Sequence, residues 1–562
     1  MSTRREFLQH ASVTAAALSL PRDTAPSADA RLAPPTFIDL RRDPDFVGIQ
    51  TDTGIQSLQL QGVSRWTEAG SEVRIVESAG ARTVRLTTSR SDVLRLRLRW
   101  RAALSDSVRV CGDAWERGYG DLEWRGLVPD RLLPWYCAVT DGGTTHAYGV
   151  RTGARAMCAW QVDRYGLTLW ADLRSGGVGL NLGSRQLEVC DVISRAGAPN
   201  ESAFVALRAF CRMLCPNPRM PSTPVYGHND WYWAYGKNSA ESVRVDAGRI
   251  VELSPTGGNR PFVVIDDGWQ PGRVTSDDGS GYWDRGNEKF PDMAALTGDI
   301  HAAGARAGIW CRPLLAPTDA PDAVRLSRER SVLDPTVPAV QQKVHDDIAR
   351  MAGWGYELIK HDYSTWDIFG RWGFQMGGAL TRAGWRFAEG NRRTTAEVID
   401  ELYGTIRAAA GAALVIGCNT VSHLSAGRFE LYRIGDDSSG SDWRRTRKMG
   451  INSFAFRAPQ HGAFYAADPD CVAVLRKQSW PLTQRWLELL ARSGTVLMTS
   501  IEPGALGAEQ RRALKSALAV AAEPRPVAEP LDWERSIYPT RWRMMQTTRT
   551  FDWTDPNGED DV

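Results

Sequence analysis

Carboxylates recur where apolar runs end. The run 261–266, PFVVID, stops at Asp266 and Asp267, followed by a glycine and a tryptophan. A near-continuous apolar strand is usually buried on both faces of a parallel sheet, and its end is where an α/β protein exposes its chemistry. Other runs end alike, on Asp230 and Trp231, Trp310 and Arg312, Lys360 and Asp362, Cys418 and Asn419, and Arg433 with Asp436 and Asp437. Singly, each has a plain structural explanation, because aspartate caps helices and an Arg433/Asp437 spacing makes a surface ion pair. Charged groups that repeatedly end apolar strands are what a polar site on a hydrophobic scaffold requires.

Two carboxyl groups facing each other across a scissile bond are the requirement of glycoside hydrolysis. Asp362 follows Lys360, whose ammonium favours an ionised carboxylate, so Asp362 is the candidate nucleophile. Asp437 adjoins Asp436, and a like-charged neighbour raises a carboxyl pKa towards that of a general acid; Asp437 is the candidate acid/base. Asp266 and Asp267 are candidate acceptors for sugar hydroxyls, with tryptophan faces against the apolar side of a sugar ring. Metal chemistry competes. The eight histidines include no His-x-His on an early strand, which sets aside a metal-dependent barrel hydrolase. An enolase-like site in which Asp267 and Asp362 share a divalent cation stays open as the weaker alternative.

These residues need a scaffold that brings strand ends together. After residue 224 the sequence alternates strand and helix, with strands expected at 224–230, 261–266, 306–313, 356–362, 413–419, 431–436, 453–458 and 494–500. Amphipathic stretches such as 394–411 lie between most of them. Eight strands without a glycine-rich phosphate loop after the first predict a (β/α)8 barrel rather than an open doubly wound sheet. Upstream, runs such as VLRLRLRWR (93–101) alternate strictly and predict an antiparallel β-sandwich. The expected organisation is a sandwich over 31–215, a proline-rich linker over 216–224, the barrel over 225–507, and a C-terminal helix with a β remnant over 508–562.

At 562 residues the chain is too long for one core, and a net charge of +2 shows no basic stripe for nucleic acid. Arg4 and Arg5, a short apolar stretch and Ala28-Asp29-Ala30 read as a twin-arginine export signal over 1–30, which predicts a periplasmic or extracellular protein. No other stretch is a transmembrane candidate. Nine cysteines without C-x-x-C spacing indicate neither zinc nor a disulfide framework, and Cys211 and Cys215 read as small core residues on one helix. Many of the 22 tryptophans flank loops, where flat apolar faces suit a ligand.

In the order VVIDDGWQ, GIWCRP, LIKHD, IGCN, the Arg-x-x-x-Asp of RIGDD, ADPD and GTVLMTS, these motifs resemble the melibiase-like α-galactosidases of glycoside hydrolase clan D, families 27 and 36. GDAWERGYGDLEWRG (112–126) is similar to the sandwich domain of the family 36 type. The resemblance implies an exported retaining exo-α-galactosidase with Asp362 as nucleophile and Asp437 as acid/base. It implies that Lys360 and Arg433 contact the sugar and the carboxylates, that Asp266 and Asp267 bind its O4 and O6 hydroxyls, and that Trp231 forms a subsite wall. Trp310, Cys418 and Asn419 join the substrate-binding set as strand-end residues. The implied partner is an α-galactoside oligosaccharide or glycoconjugate; neither cofactor nor metal is implied, and a homo-oligomer is compatible with the sequence. Transglycosylation on the same site and a silent carbohydrate-binding protein are the alternative functions. GCNTVS lacks the Glu-Trp with which family 27 reads the sugar's O2, leaving the sugar open, and 548–562 resembles only the first strand of the family's C-terminal sandwich, which is expected to be absent or vestigial.

Overall fold

A computed structural model describes residues 37–272, 281–382 and 384–557. The expected export signal at 1–30 lies outside the described residues. The N-terminal part is a sandwich of a six-stranded and an eight-stranded antiparallel sheet. Arg95–Arg101 shows how its alternation works. Leu96, Leu98 and Trp100 are buried, while Arg95 and Arg99 on the other face pair with Asp172 at 3.0 Å and Asp163 at 2.6 Å on other strands. The helix Ala203–Leu214, capped by the Ser202 side chain, packs on this sandwich and leads into the proline-rich segment. All nine cysteines are buried and unpaired. Among the described residues no helix is long and apolar enough to cross a membrane.

The barrel follows. Its strands are Tyr226–Asn229, Phe262–Ile265, Arg306–Cys311, Leu358–His361, Leu414–Gly417, Leu431–Arg433, a seventh in two pieces (Ala466–Asp468 and Cys471–Val474), and Leu497–Ile501. All pair in parallel, and the first lies between the second and the eighth. Val225, Phe262, Val264, Leu358, Ile416 and Met498 help fill the interior, as a side-chain-packed barrel requires. Helices between the strands are capped locally. Thr394 accepts from the Glu397 N–H at 3.1 Å while the Glu397 carboxylate accepts from the Thr394 N–H at 2.9 Å, a reciprocal capping box. The same Glu397 pairs with Arg185 of the sandwich at 2.7 Å.

Strand seven is a correction. The segment 453–458, SFAFRA, forms the helix Ser453–Arg457 after a π-helical stretch, Thr446–Asn452. Every residue of that helix is buried, with Phe454 stacked on Trp542 and Phe456 against Trp533, and a short run buried on all sides carries no periodicity to tell helix from strand. The actual strand is AADPDCVAV, broken where Pro469 lacks an N–H and Asp470 takes φ +84°. Its first piece pairs with strand six and its second with strand eight, and the Val496 N–H donates to Ala467 O at 3.0 Å across the break.

The helix Ala508–Ala521 packs on Trp480–Arg492, on Ala240–Leu253 and on the first strand, so it completes the barrel that the sequence reading ended at 507. Beyond it the described chain forms a three-stranded antiparallel sheet, Glu529–Pro530, Arg541–Met544 and Thr547–Thr550. Tryptophans of this region wedge between the other two parts: Trp533 meets Trp124 of the sandwich edge-on at 5.7 Å, and Trp553 lies 6.3 Å from Trp443 of the barrel. Sandwich and barrel are also joined by a buried Asp113–Arg457 ion pair at 2.7 Å.

Candidate active site

The strand ends meet at the carboxyl-terminal mouth of the barrel, and buried acids form its floor. Asp230 accepts from the Asp266 N–H at 2.8 Å and from the Asn238 amide at 2.9 Å. Burial, reinforced by the Asp266 charge, pushes its pKa up to about 8. Asp266 accepts from Lys360 Nζ at 2.6 Å, from the Asn229 amide at 2.9 Å and from the Asp267 N–H at 2.9 Å. Burial works against the Lys360 ammonium, but the Asp266 carboxylate outweighs it and holds the lysine charged. Asp267 is the more accessible of the pair and accepts from the Gln270 amide at 2.6 Å. Burial lifts its pKa to about 6, against the Gln270 bond and with the help of Asp266. The two aspartates differ in setting: Asp266 is buried and bonds Lys360, and Asp267 is half-buried.

Asp362 has partners beyond those the sequence implied. Lys360 Nζ bonds Asp266 while its charge still acts on Asp362; the Asp362 carboxylate also accepts from Trp310 Nε1 at 3.1 Å and from the Tyr363 N–H at 2.7 Å. Tyr363 sits at φ +70°, a left-handed conformation that is costly for a side chain of this size, and the turn points its N–H back at the carboxylate. Trp310 is wedged by Trp283 at 5.9 Å, and its carbonyl accepts from Trp269 Nε1 at 2.8 Å. Between Lys360 and Asp362, His361 points the other way, edge-on to Tyr403 at 5.5 Å and Phe429 at 5.7 Å, with its pKa pushed down to about 3 by burial.

At the end of strand six, Arg433 Nη2 lies 3.3 Å from Asp437 Oδ1 and 3.0 Å from Asp470 Oδ2. Asp470, at the break of strand seven, also accepts from the Ser438 N–H at 2.8 Å, the Ser438 hydroxyl at 2.9 Å and the Tyr232 hydroxyl. Asp436, the like-charged neighbour of Asp437, is itself ion-paired. Asp436 lies 2.9 Å from Arg117 and 2.6 Å from Arg445, so two guanidiniums match its charge, and the candidacy of Asp437 rests on its placement and partial exposure.

Trp231 opens the helical turn Trp231–Ala234 after the first strand, half-buried and edge-on to Tyr235 at 5.2 Å. Trp366 and Trp372 stack at 4.7 Å in the segment after Asp362. Cys418 lies beside Arg433, its pKa pushed up to about 12 by burial and by the Asp362 charge, so it is a neutral thiol. Asn419 is buried; its amide donates to Glu116 at 2.5 Å and accepts from the Trp366 N–H at 3.3 Å, which ties the end of strand five to the sandwich. Among the described residues no three His, Cys, Asp or Glu side chains are grouped to hold a metal.

Sequence reasoning missed Asp470, Glu116 and Arg117 as site residues. Asp470 was hidden in ADPD, the break inside a seventh strand that the sequence placed at 453–458. Glu116 and Arg117 lie more than 100 residues before the first barrel strand, in WERGYG, and only the docking of the sandwich brings them in. Burial raises the Glu116 pKa to about 7, with the Arg117 charge opposing.

No protein-family model matches the chain, and no curated protein matches it by sequence. Solved structures do match. An α-galactosidase of Thermus thermophilus in complex with p-nitrophenyl α-D-galactopyranoside is 18% identical at a TM-score of 0.58, over 90% of this chain and 99% of that one. The family 36 α-galactosidase AgaA of Geobacillus stearothermophilus is 16% identical at a TM-score of 0.53, over 85% and 75%. The galactosidase domain of an α-galactosidase–sucrose kinase is 17% identical at a TM-score of 0.54, over 84% and 73%. The likeness establishes the fold: a β-sandwich followed by a (β/α)8 barrel, arranged as in these enzymes.

Proposed function

We propose that the protein is a retaining exo-glycoside hydrolase that releases terminal α-galactose by double displacement. The observation that carries this reading is the pair of strand-end carboxylates, Asp362 held by N–H donors and Asp437 held by arginine, on a fold like that of known α-galactosidases. In the first step the Asp362 carboxylate attacks the anomeric carbon while Asp437 gives its proton to the glycosidic oxygen. The C1–O bond breaks with its electron pair on the leaving alcohol, and a glycosyl ester of Asp362 forms with inverted configuration. In the second, Asp437 takes a proton from water as the water oxygen attacks C1, which frees Asp362 and restores the α-anomer. Asp267 and Lys360 supply charged hydrogen-bonding groups for sugar hydroxyls, and Trp231 an apolar face. Solved neighbours carry p-nitrophenyl α-galactoside and stachyose, which supports an α-galactoside as the substrate class.

A panel of nitrophenyl glycosides tests the reading: α-galactoside, α-N-acetylgalactosaminide, β-arabinopyranoside and α-glucoside. The α-galactoside should be cleaved with retention, followed by NMR of the first-formed anomer. Cleavage of the α-glucoside alone would overturn the sugar, and an inverted product the mechanism.

A further inference from the structure

We propose that Arg117, delivered by the sandwich, is a positioning residue for Asp437, so that the barrel's chemistry depends on a side chain the barrel does not supply. The inference rests on the proposed function in taking Asp437 as acid/base. Arg117 is wholly buried, and its guanidinium lies 2.9 Å from Asp436, 3.4 Å from Glu116 and 3.6 Å from Asp437 Oδ1. That same oxygen faces Arg433 at 3.3 Å, so two guanidiniums fix which edge of the carboxyl group turns inward. The rings of Tyr119 and Trp372 lie 5.8 Å and 5.9 Å from the guanidinium carbon and close over it.

The backbone sets Arg117 in register. The Gly118 N–H donates to Ile434 O at 2.8 Å and Gly118 O accepts from the Asp436 N–H at 3.0 Å, so the sandwich loop makes a single parallel bridge to Gly435 where the chain leaves strand six. Only glycine permits this approach: a β-carbon on Gly118 would sit 2.5 Å from Ser453 Oγ, and one on Gly435 2.0 Å from Met449 O. A buried cation needs acids to offset its desolvation, and Glu116, Asp436 and Asp437 provide them. Asp437 has to alternate between a proton donor and an anion that activates water; a guanidinium beside it favours the anion. The other charged or titratable groups near Asp437 are Arg433 on strand six, Arg445 beyond it, Tyr232 after strand one, its neighbour Asp436, and Asp470 behind Arg433.

The test is the pH profile of kcat/KM with a galactosyl disaccharide, whose poor leaving group makes protonation by Asp437 limiting, against a nitrophenyl galactoside, in Arg117→Met and Arg117→Lys. Removing the cation should move the alkaline limb for the disaccharide upward by about one pH unit. Arg117→Lys keeps the charge and should leave that limb near its wild-type position. An unmoved limb in folded Arg117→Met, with both substrates slowed equally, would make Arg117 a docking residue and overturn the proposal; failure of both variants to fold would do the same. Wild-type protein inactive on every galactoside would sink the proposed function instead. In that event the carboxyl titration of Asp437, followed by carbon-13 NMR of aspartate-labelled protein and assigned with Asp437→Asn, still decides whether Arg117→Met raises it.

Discussion

Asp362 and Asp437 carry different chemistry, and removing them should leave different residues of activity. Asp437→Ala should slow a galactosyl disaccharide by ~10²–10⁴ and a dinitrophenyl galactoside far less, because an activated phenolate departs without a proton. Asp362→Ala should abolish turnover of both. Azide separates the roles further: with Asp437→Ala it should attack the glycosyl-enzyme and give the α-azide, and with Asp362→Ala it can only replace the missing carboxylate and give the β-azide. Product NMR reads the anomer, and exchanged outcomes would mean exchanged roles. The candidacy of both residues was legible in the sequence because each ends an apolar strand. Their partners were not, since the donors to Asp362 come from strand three and from a left-handed residue, and the cations on Asp436 come partly from another domain.

The broken seventh strand places Asp470 under Arg433. Asp470→Asn tolerates the left-handed backbone at φ +84° but removes the charge that faces Arg433 at 3.0 Å, and breaking one side of a buried pair costs about 3–5 kcal/mol. Thermal unfolding of the variant should drop by several degrees, and kcat/KM should fall more for poor leaving groups than for good ones as Arg433 loses its anchor. Unchanged stability would mean that Arg433 is held by Asp437 without help from the strand break. The break itself was half legible: Pro469 marks an interruption, but nothing local says that the two short pieces flanking it are one barrel strand shared between neighbours. SFAFRA has the better strand composition and became a helix because the sandwich and the C-terminal tryptophans bury it from every side.

Across the whole molecule, burial of acids and histidines shapes stability against pH. Burial raises Asp230 to about 8 and Glu116 to about 7, so the folded chain retains protons that the unfolded chain has lost. Such groups help the fold fully below the ordinary carboxylate range, and that help is lost as pH rises through the folded pKa. His361 is pushed down to about 3 and His423 and His461 to about 4, all by burial; their contribution is present above about pH 6.5 and is lost as pH falls towards those values. Above pH 6.5 the raised acids still change, joined towards pH 8.5 by buried cysteines whose thiols burial keeps protonated, so Tm should fall from pH 6.5 to 8.5, and Asp230→Asn should reduce that slope. Calorimetry across this window checks it; a Tm that rises would show that these acids are ionised in the folded chain.

The sequence by itself determined the architecture and the inventory of charged strand ends. Period-two alternation, the switch to strand–helix order and apolar runs that stop at acids are local patterns, and local patterns survive without knowledge of neighbours. Tertiary structure alone decided how those charges pair. Lys360 bonds Asp266 as well as acting on Asp362, Asn419 bonds Glu116 of the sandwich, and Asp436 pairs with Arg117 across more than 300 residues of chain. A buried charge takes whichever opposite charge the fold brings nearest, at a cost in desolvation that only close pairing repays, and sequence spacing carries no record of that distance.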